Sequence, residues 1–278
     1  MTPNGKRISL RTIVYIVLVL QAFVALYPIF LMFLTSLKTN NEIFTRPYGL
    51  PRVWAVRNYL SIISQSSYLR YYANSLVVTG ASIVLILVLS LFPSYVIAKL
   101  RFRGRNLVYL YLLAGMMIPL KLGTLNLVRT MNLLNLTDTL YALVIVYAAI
   151  GIPFGVLIFT GFIREIPEEL SNAARIDGAT DYAIVYRVII PNLRPAIAAT
   201  AIINTLPIWN DFWFPLILIS SEGRKTFPLA TANLFGQYQT DFGLVFAALS
   251  LASLPMILVY LLISKQYLRG IEAGALKG

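Results

Sequence analysis

Apolar residues recur along this chain in long runs, too continuous to be one face of a soluble helix. A bilayer-spanning helix needs roughly 20 mostly apolar residues. On that measure the pattern predicts spans over residues 13–37, 71–98, 107–128, 140–163, 196–219 and 242–264. The third is apolar without interruption only to Leu120, so Lys121 must snorkel or lie at the surface. The first outlasts the roughly 7–15 residues of a signal-peptide core, shows no small-residue cleavage pattern, and reads as a retained helix. The expected architecture is an all-α integral membrane protein with six transmembrane helices in a single domain, 1–278. A polar loop at 164–195 and a C-terminal tail at 265–278 lie outside the spans.

Composition agrees, with 58% hydrophobic against 12% charged residues and a mean hydropathy of +0.75. With neither Cys nor His, disulfides, thiolate sites and imidazole ligands are unavailable, so no metal site and no catalytic residue is expected. The formal charge of +12 invites a nucleic-acid reading, but basic residues beside apolar spans are what the positive-inside rule produces. The tails and the two loops on their side carry 14 of the 23 Lys and Arg residues, which favours both termini in the cytoplasm; Lys99, Arg101, Arg103 and Arg105 weigh most. Trp54, Tyr68, Tyr71 and Tyr72 then fall near the outer interface and Tyr267 near the inner one. The outer connection 38–70 is polar, with a short helix expected at 58–64, and Gly151 with Gly155 forms a small-xxx-small pair suited to close helix packing.

The stretch 165–195 is the most charged in the chain and reads as two short helices. Pro167 suits a first turn, Glu168 and Glu169 complement the positive helix end, and Gly178 suits a left-handed stop. Thr180 can cap a second helix whose run ends before Pro191. Leu170, Ala173, Ala174 and Asp177 share one face, small and apolar with an acidic edge. Such a face fits a partner's groove, or else lies against the membrane or the chain's own bundle.

The spacing of this stretch resembles the EAA loop of ABC importer permeases: Glu-Ala-Ala, three residues, Gly, nine residues, Ile-x-Leu-Pro. Here Asn172, Ala173 and Ala174 precede Gly178, and Val188, Ile189, Ile190 and Pro191 follow at the same intervals, with Asn172 standing where the pattern has Glu. The resemblance covers nearly the whole chain and is closest to the carbohydrate-uptake branch, the type of the smaller maltose-transporter permease. It is carried by Tyr27-Pro28, Ser36-Leu37-Lys38, Tyr72-Ala73-Asn74-Ser75, the run 173–180, Trp209-Asn210-Asp211 and the tail 270–278. It implies the MetI-like fold of type I importers in a bacterial or archaeal cytoplasmic (inner) membrane. Glu169, Asn172, Ala173, Ala174, Asp177, Gly178 and Pro191 would then form the coupling loop against an ATPase subunit. Gly270, Ala273, Gly274, Lys277 and Gly278 would form a tail contacting the ATPase pair. Implied partners are a second, different permease, two ATP-binding subunits holding ATP and Mg, and an extracytoplasmic solute-binding protein; no cofactor is implied for this chain.

The fifth span holds Asn204, Asn210 and Asp211 in apolar sequence interrupted by Pro207 and Pro215, with Trp209, Phe212 and Trp213 nearby. Polar groups in hydrocarbon generally face a bundle interior or a watery cavity. Aromatic faces with amides and a carboxylate suit a sugar, and the same residues equally suit interhelical bonding or a gate. An ion-coupled secondary carrier is the alternative, but Asp211 is the one acid inside a predicted span. No P-loop pattern occurs, so the energy of an ATP-driven cycle would come from other subunits.

Overall fold

The computed structural model describes residues 3–119, 121–235 and 240–275, with side chains described for 10–65, 67–119, 121–235 and 240–261. The helices in chain order are α1 (Pro3–Ser36), α2 (Asn40–Thr45), α3 (Arg57–Ile63), α4 (Ser66–Lys99), α5 (Arg105–Ala114), α6 (Thr124–Leu133) and α7 (Leu140–Glu165). They continue with α8 (Glu168–Ile176), α9 (Asp181–Ile184), α10 (Ile190–Asn192), α11 (Arg194–Trp209), α12 (Trp213–Leu218), α13 (Phe227–Ala232) and α14 (Phe242–Ala275). No strand occurs among the described residues.

Four helices are long and apolar enough to cross a bilayer: Leu10–Ser36, Ser67–Lys99, Leu140–Glu165 and Phe242–Leu261. They correspond to the first, second, fourth and sixth predicted spans. The third predicted span is two ten-residue helices, α5 and α6, separated by a 3-10 turn at Gly115–Met117 and by extended backbone at Ile118. At about 1.5 Å per residue, neither crosses a bilayer alone. The fifth is α11 followed by α12, broken at 210–212. The short helix predicted at 58–64 is α3, while α2 has no counterpart in the sequence reading.

The chain divides into two compact units. In the first, Met1–Ser66 with Thr231–Leu254, the most apolar window of α1 is wholly exposed, and order concentrates at the helix end. The last four carbonyls of a helix lack intrahelical partners, and each of these finds one. Phe33 O accepts from the Ser36 hydroxyl at 2.6 Å, Leu34 O and Thr35 O from the amides of Leu37 and Lys38, and Ser36 O from Asn58 Nδ2 at 2.9 Å. Lys38, fully buried, donates from Nζ to the carbonyls of Arg46 and Pro47 at 2.9 and 2.8 Å, which folds the following loop back on the helix end.

The second unit, Ser67–Ala230 with Pro255–Gly278, is built on α4 against α7. A Cβ placed on Gly155 would lie 2.3 Å from Ser90 Oγ, and one on Gly151 2.3 Å from Ile86 Cδ1. The predicted small-xxx-small pair therefore packs α7 directly on α4, where Ser90 donates to Ile86 O at 2.6 Å and to Ile152 O at 3.2 Å. Leu143, Phe159 and Ile163 of α7 are fully buried alongside.

At one end of this unit Asp138 holds the loop after α12. Its Oδ1 accepts from the amides of Ser220 and Ser221 at 3.0 and 2.9 Å, and its Oδ2 accepts from the Ser221 hydroxyl and from Arg224. The Ser221 hydroxyl, foremost among these bonds, holds the carboxyl down at about 2, against 3.8 ordinarily. Tyr71 OH donates to Glu222 Oε1 at 2.6 Å, and Asn74 Nδ2 to the carbonyls of Gly223 and Lys225.

Two predictions follow from this packing. Ala is about 1 kcal/mol better than Gly inside a helix, whereas overpacking costs about 1–3 kcal/mol. Gly155→Ala should therefore lower the thermal unfolding temperature in nanodiscs, and Ser90→Ala should partly restore it. Gly161→Ala, where a Cβ meets nothing within 4 Å, should not lower it. The depressed pKa of Asp138 means its contribution is fully present above pH 3.8 and is lost as pH falls through about 2. Hydrogen exchange should find the Ser220 and Ser221 amides protected at pH 4 in the parent chain, and unprotected at that pH in Asp138→Ala.

Candidate functional site

The 164–195 segment has one free arm and one rooted arm. Pro167 stands at the N-cap (ψ 135°), one position before the predicted first turn, and Glu168 and Glu169 occupy that turn. At the far end Gly178 has φ +80° and donates its N–H to Arg175 O at 3.0 Å, while Ala179 N–H reaches Ala174 O at 2.9 Å. This pair of bonds is a Schellman stop, which satisfies two orphan carbonyls and needs a left-handed residue at 178. Thr180 caps α9 by accepting from Ala183 N–H at 3.3 Å.

The second helix departs from expectation, because it does not end before Pro191. A π-helical stretch, Val185–Ile189, follows α9, and α10 carries Pro191 inside it. Pro lacks an N–H and its ring crowds the carbonyl four residues back; the wider π turn relieves both constraints. Ile184, Val185, Ile189 and Leu193 are buried in a cluster with Leu91, Tyr95, Phe159 and Ile163 of α4 and α7.

α8 meets that cluster along one side only. Ser171 is buried and Ala174 half-buried against the core, while Glu169, Leu170, Asn172, Ala173, Ile176 and Asp177 are exposed, Ile176 at 86%. The predicted face is thus split, with Ala174 turned inward and Ile176 joining the outward side. α4 braces the arm at both ends. Lys99 Nζ donates to Ile166 O, just before α8, and Tyr95 OH donates to Asp181 Oδ1 at 3.2 Å, just after it. Arg175 of α8 also donates to Asp181 Oδ1 at 3.0 Å, which raises the guanidinium pKa. Sequence reading missed Tyr95 and Asp181; the signal available was a phenol placed one turn before Lys99 at the end of a span.

A second candidate region is a cavity of 740 Å³, where the breaks in the third and fifth segments meet α7. Asn204, Asn210 and Asp211 line it together with Lys121, Tyr147 and Phe154. Asp211 Oδ2 accepts from Tyr147 OH and from the Phe214 amide, each at 2.9 Å, so it ties α7 to the start of α12. No partner for Oδ1 occurs among the described residues. Asn204 Nδ2 donates to Thr200 O within its own helix and Asn210 Nδ2 to Leu206 O. Trp209 is 98% buried, edge-on to Tyr72 with 5.6 Å between centroids, and Trp213 donates from Nε1 to Thr124 Oγ1 of α6 at 3.1 Å. Neither tryptophan lines the cavity; its aromatic surface comes from Tyr147, Phe154 and Phe214. Of these, Tyr147 was open to discovery as a hydroxyl in the middle of an apolar run.

Of the expected tail, Gly270, Ala273 and Gly274 lie on the continuing backbone of α14, whereas Lys277 and Gly278 lie outside the described residues. No group of three or more acidic residues able to hold a metal occurs among the described residues.

Residues 86–271 match the family model described as binding-protein-dependent transport system inner membrane component. The chain is 32% identical over 265 residues to a putative ABC transporter permease protein, ORF2, of Caldicellulosiruptor sp. (strain Rt8B.4), covering 95% of this chain and 96% of that one. It is 31% identical over 257 residues to the arabinooligosaccharides transport system permease protein AraQ of Bacillus subtilis (strain 168), covering 91% of each. Among solved structures, it superposes on a chain of a bacterial ABC transporter that imports the acidic polysaccharide alginate. The TM-score is 0.81 at 22% identity, covering 95% of this chain and 98% of that chain.

The stop at Gly178 yields a graded prediction. A Cβ there meets nothing within 4 Å, so substitution is opposed by the backbone alone, by about 1–2 kcal/mol for most residues and by less for Asn. Hydrogen exchange at Gly178 and Ala179 should accelerate modestly in Gly178→Asn and strongly in Gly178→Val. Equal rates in all three chains would remove the Schellman stop from the account.

Proposed function

Because the chain belongs to the family of binding-protein-dependent transport system inner membrane components, we propose that it forms half of the translocation pathway of an ATP-driven importer for a sugar or oligosaccharide. The observation that carries this reading is the loop 164–195, inside the matched region, with its free helix α8 braced at both ends by α4. Exposed Leu170, Ala173 and Ile176 give α8 an apolar surface for a groove on an ATPase subunit, and its stiff termini make it a lever rather than a flexible loop. Two such subunits would bind ATP and Mg, a second and different permease would complete the pathway, and a solute-binding protein would deliver substrate from outside.

In this reading the chain alternates between inward and outward access as the ATPases close and open, with both termini in the cytoplasm. The arabinooligosaccharide relative and the alginate importer support a carbohydrate substrate. The cavity supports it chemically, since Tyr147, Phe154 and Phe214 offer aromatic surface while Asn204, Asn210 and Asp211 offer hydrogen-bonding groups. Asp211 has a structural duty as well, through Tyr147 and Phe214. The tail 270–278 is proposed as a further contact on the ATPase pair.

Proteoliposomes containing the full complex and a panel of labelled oligosaccharides test the proposal: uptake should require ATP and vanish when the ATPase subunits are inactivated. ATP-independent uptake driven by a proton or sodium gradient would replace it with the carrier reading. Within the working complex, Tyr95→Phe combined with Lys99→Met should cut uptake at least tenfold while ATP hydrolysis falls far less. Parallel loss of both would mean the two side chains serve assembly and not force transfer.

A further inference from the structure

The turn joining α4 to α5 borders an open hollow of 370 Å³ lined by Arg101, Phe102, Gly104, Arg105, Asn106 and Leu107. The turn is closed by Arg105 N–H on Phe102 O. Two arginines and one asparagine line the hollow, and among the described residues no acid does. Among the described residues none accepts a hydrogen bond or forms an ion pair from the side chains of Arg101, Arg103 or Arg105. Lys99, by contrast, is committed to Ile166 O, and Arg164, on α7 beside α5, lies over the Tyr109 ring at 5.3 Å. One edge of the hollow is apolar: Phe102 is 41% and Leu107 73% exposed, and the surface continues along α5 through Leu110 and Tyr111. The site therefore sits where a long apolar helix, α4, ends and an exposed apolar helix begins.

We propose that this hollow binds the headgroup of an anionic phospholipid. The phosphate diester would sit between Arg101 and Arg105, whose planar guanidinium groups match phosphate oxygens in bidentate fashion, and the acyl chains would run along Leu107 and Leu110. Arginines that only set topology need not line one concavity; Arg101 and Arg105 do, and basic pockets on membrane helices are a known form of lipid recognition. A free phosphate metabolite would share the guanidinium contacts but leave the apolar edge unused, so the lipid is the better match.

Native mass spectrometry of the purified full chain, released from micelles doped with equal phosphatidylglycerol and phosphatidylcholine, tests this. The parent chain should retain phosphatidylglycerol in preference. Each basic residue near an anionic surface adds about fivefold, so Arg101→Gln/Arg105→Gln should weaken retention by about thirtyfold, while Arg129→Gln should leave it unchanged. A photoactivatable phosphatidylglycerol, used on the parent chain without any substitution, should crosslink within residues 101–111. Undiminished retention in the double variant, or crosslinks only elsewhere, would overturn the proposal. Displacement of the lipid by millimolar glycerol 3-phosphate but not by phosphatidylcholine would reassign the site to a soluble phosphate.

Discussion

Hydrocarbon offers no water to complete a broken hydrogen-bond ladder, so a membrane helix can be interrupted only where protein groups or a cavity take over its backbone. This constraint organises the second unit. The fifth segment breaks at 210–212, between Pro207 and Pro215, and Asp211 supplies the missing acceptor for the Phe214 amide while Tyr147 donates to the same oxygen. The third breaks at Ile118, and the Thr124 hydroxyl at the start of its second half accepts from Trp213. Both breaks border one cavity. At the fifth break the interruption and the cavity share residues: Asp211 and Tyr147, which mend the ladder there, also line the hollow.

The 164–195 loop solves a different problem, namely how to keep a short helix well defined when most of its surface is exposed. A nine-residue helix is marginal by itself in water. α8 gains definition from its ends: two acidic residues in its first turn, a Schellman stop at Gly178, and the bonds of Lys99 and Tyr95 just outside it. The following arm is anchored by fully buried Ile184, Ile189 and Leu193. A displacement of α8 would thus be felt by α4, through two side chains one helical turn apart, as well as by the covalently continuous α7 and α9.

How much of this was legible in the sequence differs from element to element. Four of the six apolar runs are long helices, since continuous hydrophobicity is an unambiguous signal when the solvent is lipid. Gly178, Thr180 and the Gly151–Gly155 pair were readable because each meets a local demand: a left-handed stop, a cap, a close approach. The broken third segment was visible only as a weakening at Lys121, because where a helix is interrupted depends on partners distant in sequence. Continuation through Pro191 was illegible for a related reason: the π turn that accommodates it is buttressed by α4 and α7. The sugar-suited aromatic pair was drawn from sequence neighbours, Trp209 and Trp213, whereas the cavity takes its rings from Tyr147, Phe154 and Phe214. Composition identified the kind of surface; tertiary packing chose which residues present it.

The central claim is that α8 is the surface on which ATPase subunits act. Its most direct test is site-specific crosslinking from Ala173→Cys, at an exposed position on α8, to the cognate ATPase subunit in membranes, with Arg129→Cys on α6 as the reference. Position 173 should give an adduct whose yield changes with ATP, and position 129 none. An adduct from neither position, or equal adducts from both regardless of ATP, would contradict it.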